Sequence, residues 1–365
     1  MEHVECPICK RDQTRPLFVK WGFAVVQCAN CGLVYVNPRQ FQVEADDYFK
    51  GPYLSAIERD GVLDPGIRTL YSDILSRLGS YLRPGRLLDV GCAMGHFMVE
   101  ARNAGWQVHG VECSQFAAQY GRQRWDLRIQ SACTLDDVAL PPSHFDACVL
   151  IEVAEHLPVP LRAFEQVLRF LKPGGVVIVT TPNFASYRSL LMREQWAAVI
   201  PSGHLYYFTA RSLTDLLTAA GFERCIDLTR PAVLDEEIRA LAGGGGSLDS
   251  KLVEEVRAST EREDRDRLCN GRGEGLVLCA QKPRRSEDVL RASLRVDREI
   301  PSLEGRLVRV PGTSPEDQRV FLVKGGRKHW VVNPGWLKKA GMRLDSTIEI
   351  DRDLLGAFWD GPPLS

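Results

Sequence analysis

The sequence predicts an α/β protein whose main domain is an open, mainly parallel sheet with helices on both faces. Short apolar runs alternate with segments of helical periodicity from about residue 66 to 285. The apolar run at 86–90 enters a glycine-containing turn, as strands do where they pass into helices in such sheets. A four-cysteine pattern precedes this region and a hairpin signal follows it, so we expect a small module at each end.

Length and charge limit the possible functions. The chain has 365 residues, enough for two or three domains, and carries 46 basic against 47 acidic residues. This balance argues against a nucleic-acid partner, because binding a phosphate backbone needs clustered positive charge. No apolar run approaches the roughly 18 residues of a membrane span, and the N-terminus lacks the parts of a signal peptide. We expect a cytoplasmic protein with no membrane partner; the pattern leaves its oligomeric state open.

Four of the eleven cysteines form two pairs with two residues between the members of each pair. Cys6 and Cys9 make the first pair, and Cys28 and Cys31 follow after 18 intervening residues. This spacing is typical of a closed tetrahedral zinc site and predicts a zinc ribbon over residues 1–40. Disulfides are the alternative, and they require an oxidising compartment. A segment this short cannot stabilise itself by apolar burial, so the metal is expected to supply much of its folding free energy.

The elements are predicted from apolar runs and helical spacing. Seven strands are expected in the main domain, at 86–90, 107–111, 127–130, 145–151, 175–180, 223–228 and 276–281. The ribbon is expected to contain strands at 23–27 and 33–36. Apolar positions from Ile67 to Leu82 predict a helix before the first strand of the main domain. Five cysteines beside these strands are interpreted as small core residues: Cys92, Cys113, Cys133, Cys148 and Cys279.

The remaining segments are expected to connect or extend these domains. They are a connector at 41–65, an insertion at 229–275 within the main domain, a helical linker at 286–304 and a small α+β module at 305–365. Gly325 and Gly326 predict a two-residue hairpin turn in that module, which we interpret as a binding or oligomerisation appendage or as a part packed on the core.

The turn after the first strand of the main domain indicates a nucleotide site. Gly91 and Gly95 let the backbone approach a ligand where a Cβ atom would collide. Glu112 ends the second strand, 23 residues after Asp89, and its carboxylate is suited to accept two ribose hydroxyls. The spacing differs from the dinucleotide pattern, with Ala93 where a middle glycine would stand. An ordinary tight strand-to-helix turn is the alternative interpretation.

A second cluster follows the fourth strand. Glu152, Glu155 and His156 stand at positions i, i+3 and i+4, which a helical turn would bring onto one face. Two adjacent carboxylates repel each other unless something positive joins them, and a divalent cation would do so. His204, followed by three aromatic residues and a threonine, is a further candidate for this site.

Together these motifs resemble class I methyltransferases that use S-adenosyl-L-methionine (SAM). The resemblance spans about residues 66–285 and also includes the stretches at 171–175 and 181–183. It is greatest to the group that contains ubiquinone-biosynthesis O-methyltransferases, small-RNA 3′-end 2′-O-methyltransferases and methyltransferases of sugars and other small molecules. It implies a Rossmann-like sheet of seven strands. It also implies a set of cofactor-binding residues, namely Asp89, Gly91, Ala93, Gly95, Glu112, Thr134, Leu135 and Ile151.

The resemblance assigns two alternative roles to the second cluster. In the metal-dependent relatives, the positions of Glu152, Glu155, His156 and His204 would ligate Mg²⁺ or another divalent ion. In other relatives the glutamate–histidine pair is structural, or a histidine acts as general base. Whether the cluster binds a metal or supplies a general base, His156, His204 and Glu155 are the expected catalytic residues.

The expected function is methyl transfer from SAM to a small-molecule acceptor, at a hydroxyl. Three alternatives stay open. They are an RNA 2′-O-methyltransferase with a metal at the second cluster, a sugar C-methyltransferase, and a non-catalytic binding module that has kept the fold.

Overall fold

The computed structural model describes residues 1–40, 58–59, 62–229 and 274–283, and short stretches at 307–309, 320–324, 327–330, 347–349 and 359–360. The chain divides into two compact units, Met1–Lys282 and Pro283–Ser365. In the part that the structure describes, no helix has the length and apolar character needed to cross a membrane. Four predicted segments lie mostly or wholly outside the described residues: the connector, the 229–275 insertion, the 286–304 linker and the glycine pair of the hairpin turn.

The first unit consists of strands and helices that mostly alternate. Its described strands are β1 Thr14–Lys20, β2 Phe23–Cys28, β3 Val34–Val36, β4 Glu58–Arg59, β5 Val62–Leu63, β6 Arg86–Val90, β7 Gln107–Glu112, β8 Ile129–Ser131, β9 Phe145–Ile151, β10 Leu171–Pro182, β11 Tyr206–Tyr207, β12 Glu223–Asp227 and β13 Gly275–Gln281. Its described helices are α1 Pro65–Tyr81, α2 His96–Asn103, α3 Gln115–Trp125, α4 Pro160–Phe170, α5 Tyr187–Met192 and α6 Ala210–Ala219, with short 3-10 turns at Ala154–His156 and Arg193–Gln195.

The main sheet confirms the predicted fold class. Seven strands pair in the order β12-β13-β10-β9-β6-β7-β8. All lie in the same direction except β13, which is antiparallel to both of its neighbours. The parallel strands β6 and β9 read as nearly continuous apolar runs, as expected of strands buried on both faces. The carboxyl ends of β6, β7, β9 and β10 meet at one edge of the sheet.

Apolar side chains pack on both faces of this sheet. Cys148 and Leu150 of β9 belong to the cluster that contains residues of α4 and α6. Ala147 and Val149 belong to the opposite cluster, which contains residues of α1 and α2. This alternation with period two is what a strand between two helical layers requires. It holds the carboxyl edge of the sheet in a fixed position relative to both layers.

Two strand predictions differ from the structure by two or more residues at their beginnings. The third strand begins at Ile129 and not at 127, because Asp126 ends α3 in a left-handed conformation and the Leu127 side chain packs in a separate small cluster. The fifth strand begins at Leu171 and not at 175. Leu171 already pairs with Phe145, and the following Lys-Pro-Gly-Gly stretch is an irregularity inside the strand.

The N-terminal sheet contains more strands than predicted. It has the order β1-β2-β3-β11, of which only β2 and β3 were expected from the sequence. Strand β1 was not predicted because it lacks the alternation of buried and exposed residues that marks a strand. Three consecutive residues, Arg15 to Leu17, are exposed, and so is Val19. Strand β11 comes from the main domain, where Tyr206 pairs with Tyr35 and Tyr207 with Val34.

The second unit contains a five-stranded sheet. Its strands are β14 Leu307–Arg309, β15 Phe321–Lys324, β16 Arg327–Trp330, β17 Ile348–Glu349 and β18 Trp359–Asp360, in the order β17-β14-β15-β16-β18. Strands β15 and β16 pair antiparallel with Lys324 opposite Arg327, which agrees with the predicted hairpin.

We expect Gly91→Ala to destabilise the protein more than an ordinary glycine replacement. Gly91 has a φ of +71°, and a Cβ atom there would lie 2.5 Å from Cγ2 of Val153. The substitution therefore adds a steric overlap to the strain of a left-handed conformation, with an expected total cost of about 2–4 kcal/mol. Chemical denaturation monitored by circular dichroism measures this cost.

Gly105→Ala is the matched control. Gly105 also has a positive φ, of +94°, but its new Cβ atom would meet Pro84 at an ordinary 3.5 Å. A smaller loss for Gly105→Ala isolates the overlap with Val153. Equal losses for the two variants would contradict the close approach of the turn to Val153.

Candidate active site

The first half of the site lies where β6 and β7 end. Gly95 has a φ of +84° and is the N-cap of α2, so the chain turns sharply from β6 into that helix. A Cβ atom on Gly95 would lie 2.3 Å from Cδ1 of Leu127, which explains why glycine is required there. The backbone N–H groups of Gly91 and Cys92 both donate to the carbonyl of Val111, which ties the turn to β7.

Glu112 is held in one orientation by this turn. The side chain is buried, at 4% exposure. Its two oxygens accept hydrogen bonds from the backbone N–H groups of Ala93, at 2.7 Å, and Ser114, at 2.8 Å. Ala93 adopts a positive φ of 48°, which directs its N–H at the carboxylate. These two hydrogen bonds hold the carboxylate of the predicted ribose acceptor in one orientation.

Asp89 lies beside Glu112 and is also buried, at 2% exposure. Burial and the charge of Glu112 raise the pKa of Asp89 to about 8. Burial, together with the charge of Asp89, raises the pKa values of Tyr71, Cys92 and Cys148. At neutral pH the carboxyl is mostly protonated in the free protein, whereas a cationic ligand beside it would favour the ionised form.

The three remaining predicted cofactor residues lie in different surroundings. Thr134 is exposed, and its hydroxyl donates to Asp137 at 2.8 Å. Leu135 is buried in the same apolar cluster as α4 and α6. Ile151 is half-buried at the end of β9 and packs against the opposite cluster. Ile151 is thus at the carboxyl edge of the sheet, while the side chain of Leu135 contributes to the core.

The structure corrects the interpretation of two cysteines at this edge. Cys113 and Cys133 were expected to be core residues, but they form a disulfide. Cys113 is half-buried and follows Glu112, while Cys133 is exposed and precedes Thr134. The bond joins the segments that follow β7 and β8, which the parallel sheet places side by side. The other three, Cys92, Cys148 and Cys279, are buried as predicted.

The second half of the site follows β9, and its geometry differs from the predicted helical turn. Only Ala154–His156 forms a short 3-10 turn. Glu152 precedes it with a positive φ of 55° and accepts a hydrogen bond from the hydroxyl of Thr180 at 2.9 Å. Glu155 is 1% exposed and accepts a hydrogen bond from Thr181 at 2.8 Å. The two carboxylates are therefore held by different threonines, which sequence reasoning missed although both lie at the end of the apolar strand β10.

Two histidines meet beside Glu155. The ring centroids of His156 and His204 are 4.8 Å apart. Nδ1 of His156 lies 3.0 Å from the carbonyl of Gly203, and Nδ1 of His204 lies 2.7 Å from the carbonyl of Ala198. Because a carbonyl can only accept, each Nδ1 carries the hydrogen. Desolvation in the crevice lowers the pKa of both imidazoles, that of His204 to about 4, so each ring is neutral with a lone pair on Nε2.

Glu155, His156 and His204 form a group with the geometry of a cation site. One potential ligand atom from each lies within 4.8 Å of those of the other two. Burial raises the pKa of Glu155, a penalty that a bound cation would remove. Glu152, predicted to be a fourth ligand, is not in this group, because its positive φ and its bond to Thr180 keep it apart.

The four ribbon cysteines come together as predicted. Their sulfur atoms all lie within 4.8 Å of one another, with Cys6 and Cys31 at 3.4 Å and Cys9 and Cys28 at 3.5 Å. Zinc–sulfur bonds of about 2.3 Å in a tetrahedron place the sulfur atoms about 3.8 Å apart, so the cluster fits zinc with little adjustment. The residue after each pair has a positive φ, and its backbone N–H donates to the carbonyl of the first cysteine of that pair. Lys10 donates to Cys6 in this way, and Gly32 donates to Cys28.

Comparison with known proteins shows that the main domain is similar to methyltransferases. Residues 66–226 match the family described as a methyltransferase domain. The ubiquinone biosynthesis O-methyltransferase of Alkalilimnicola ehrlichii is 32% identical over 122 residues, 32% of this chain and 49% of that protein. The enzyme of the same name from Burkholderia vietnamiensis is 29% identical over 161 residues, 41% of this chain and 66% of that protein. The chain thus spans about half to two thirds of the length of these curated relatives.

Among solved structures, the match to phosphoethanolamine N-methyltransferase 2 of Haemonchus contortus, in complex with SAM, covers 69% of this chain and 63% of that one. The sequence identity is 20% and the TM-score is 0.48.

We expect Cys9→Ser to remove the ribbon metal. Three thiolates bind zinc more weakly than four, and the ribbon depends on the metal for its folding. Metal analysis by mass spectrometry should find about one zinc ion per chain fewer in the variant than in the unaltered protein. Cys225→Ser is the control, because Cys225 is half-buried outside the cluster. Full zinc retention in Cys9→Ser would contradict the four-thiolate site.

We expect SAM binding to strengthen as pH rises toward 8. The ammonium and sulfonium groups of SAM favour ionised Asp89, whose pKa is about 8 in the free protein. Below pH 8, the affinity of the unaltered protein for SAM should fall by up to about tenfold for each unit by which the pH is lowered. Asp89→Asn should bind SAM more weakly at pH 8 and should lack this pH dependence. Calorimetry in buffers of different ionisation enthalpy measures the proton released.

The same variant tests the opposite effect on stability. The pKa of Asp89 in the folded state lies above the unfolded value, so Asp89 contributes a loss of stability to the free protein as pH rises from about 4 to 8. Asp89→Asn should therefore raise the melting temperature at pH 8. Parallel pH profiles for the variant and the unaltered protein would contradict this role of Asp89.

Proposed function

We propose that this chain, whose residues 66–226 form a class I SAM-dependent methyltransferase domain, transfers the methyl group to a hydroxyl of a small-molecule acceptor. The acceptor would bind at Glu155, His156 and His204. The similarity to enzymes named for O-methylation in ubiquinone biosynthesis supports an oxygen acceptor.

The observation that carries this proposal is the state of the two imidazoles. Both rings donate from Nδ1 to backbone carbonyls, so each keeps a lone pair on Nε2 beside the buried Glu155. Each of these three groups offers an acceptor for a cation or for the proton of a hydroxyl.

The protein has little covalent chemistry to perform, since the sulfonium of SAM is already an activated methyl donor. Its tasks are to align the acceptor oxygen with the bond between sulfur and the methyl carbon and to take up the hydroxyl proton. Glu112 and the Gly91–Gly95 turn hold the donor at the ends of β6 and β7. Glu155 and the two histidines lie after β9 and β10, at the same edge of the sheet.

Glu155, His156 and His204 would hold a divalent cation between them. When bound, such a cation lowers the pKa of a coordinated hydroxyl and orients it. Two imidazoles and one carboxylate favour Mn²⁺, Fe²⁺, Co²⁺ or Zn²⁺ over Mg²⁺, which prefers oxygen ligands.

We expect Glu155→Gln and His204→Gln each to lower kcat by about a hundredfold or more, because each removes a group that binds the cation or takes up the proton. The Kd for SAM should stay within about twofold of the unaltered value, since neither residue belongs to the half of the site at the ends of β6 and β7, the donor half. Glu165→Gln on α4 is the matched control, because that carboxylate is exposed and pairs only with Arg162 in the part that the structure describes. Kinetics with SAM labelled on the methyl group, over a panel of phenols, catechols and sugars, measure the effect.

Two results would overturn the proposal. One is calorimetry that detects no SAM binding, or binding that Asp89→Ala combined with Glu112→Ala leaves unchanged. The other is methyl transfer that is undiminished in Glu155→Gln and His204→Gln. The cation is tested separately by chelation that leaves the ribbon zinc in place, followed by addition of Mn²⁺, Co²⁺ or Mg²⁺. Unchanged turnover after chelation would leave the histidines as bases and exclude the cation.

A further inference from the structure

The cysteine ribbon and the acceptor half of the site share one sheet. Strand β11 begins two residues after His204, yet it pairs with β3 of the ribbon and completes the N-terminal sheet. Leu205 lies between them. Its N–H donates to the carbonyl of Glu155 at 2.8 Å, and its carbonyl accepts from the N–H of Val36 at 3.0 Å. A single residue thus connects the ribbon backbone to the backbone of a site residue.

Arg39 makes a second connection through its side chain. It is 7% exposed, and its Nη1 donates to the carbonyl of Pro158 and to the hydroxyl of Tyr206, both at 2.9 Å. The Tyr206 hydroxyl also donates to the Pro158 carbonyl at 3.2 Å. Pro158 follows His156 by two residues, and Tyr206 follows His204 by two residues. The guanidinium therefore joins the two chain segments that carry the histidines.

Arg39 is itself fixed to the beginning of the ribbon. Its Nε donates to the carboxylate of Glu2 at 2.8 Å, and the backbones of the two residues exchange hydrogen bonds at 2.8 and 3.0 Å. Asn37, two residues earlier, bonds through its side-chain amide to both backbone groups of Val4. The stretch 37–39, at the end of the predicted ribbon, is thus an ordered clamp.

We propose that Arg39 is a positioning residue for the acceptor site, and that the ribbon sets the separation of His156 and His204 through it and through β3. This inference rests on the proposed function for its catalytic consequence. The donor half is assembled separately, since Glu112 is oriented by Ala93 and Ser114. Disturbing the clamp should therefore reduce methyl transfer without reducing SAM affinity.

The test compares Arg39→Met, which keeps the bulk but removes the hydrogen bonds, with Arg39→Lys, which keeps the charge. We expect Arg39→Met to lower kcat at least tenfold with the Kd for SAM within twofold, and Arg39→Lys to recover part of the loss. Tyr206→Phe, which removes one hydroxyl, should give a smaller loss in the same direction. Arg77→Met is the matched control, because Arg77 forms a partly buried ion pair with Asp73 on α1.

A readout that does not depend on activity is the tautomer of each histidine ring, observed by ¹⁵N NMR. In the unaltered protein, His156 and His204 should both give the signals of a ring protonated at Nδ1. In Arg39→Met, we expect at least one ring to lose this signature. The control variant should keep both.

The outcomes separate the two proposals. Unchanged kcat and unchanged tautomer signals in Arg39→Met would overturn the positioning role, as would a loss of SAM affinity equal to the loss of kcat. Altered tautomer signals in a protein that transfers no methyl group to any acceptor would support the clamp and overturn the proposed function.

Discussion

The carboxyl edge of the parallel sheet is the constraint on which both halves of the site depend. Parallel strands all end at the same edge, so residues far apart in sequence meet there without any local signal that they will. Glu112 reaches this edge on β7, and Glu155 reaches it just after β9. The apolar layers on both faces hold the strands in register, so the separation between the two halves is a property of the whole domain.

The electrostatics of the two halves differ in a way that suits two ligands. The donor half contains two adjacent buried carboxyls, Asp89 and Glu112, of which the first stays protonated until positive charge arrives. The acceptor half has one buried carboxyl and two neutral imidazoles, whose pKa values are lowered. In the free protein, therefore, neither half as the structure describes it contains a cation that would stabilise its ionised carboxylates. The donor half would receive positive charge from the ammonium and sulfonium of SAM, and the acceptor half from a cation or a proton.

The sequence predicted the features that strong local patterns encode. Buried strands read as apolar runs, and two cysteine pairs at zinc spacing predicted a cluster that the structure assembles. Prediction failed where a contact has no local pattern. Strand β11 has two residues, too few for a period to be read, and its partner lies about 170 positions earlier. The role of Arg39 was missed because burial of an arginine depends on acceptors supplied by distant segments. Glu152 was misplaced because the helical turn assumed for it begins two residues later.

The chemistry of the metal-binding side chains explains how one chain would keep two different metal ions in separate places. The ribbon offers four thiolates, a soft and closed set that leaves no coordination position for a substrate. Glu155 and the two histidines supply three harder ligands, which leave positions open for an acceptor hydroxyl. The clamp through Arg39 would link the two sites mechanically, while their ligands keep them chemically distinct. A zinc ion that stabilises the ribbon would thereby fix the frame against which the open site is built.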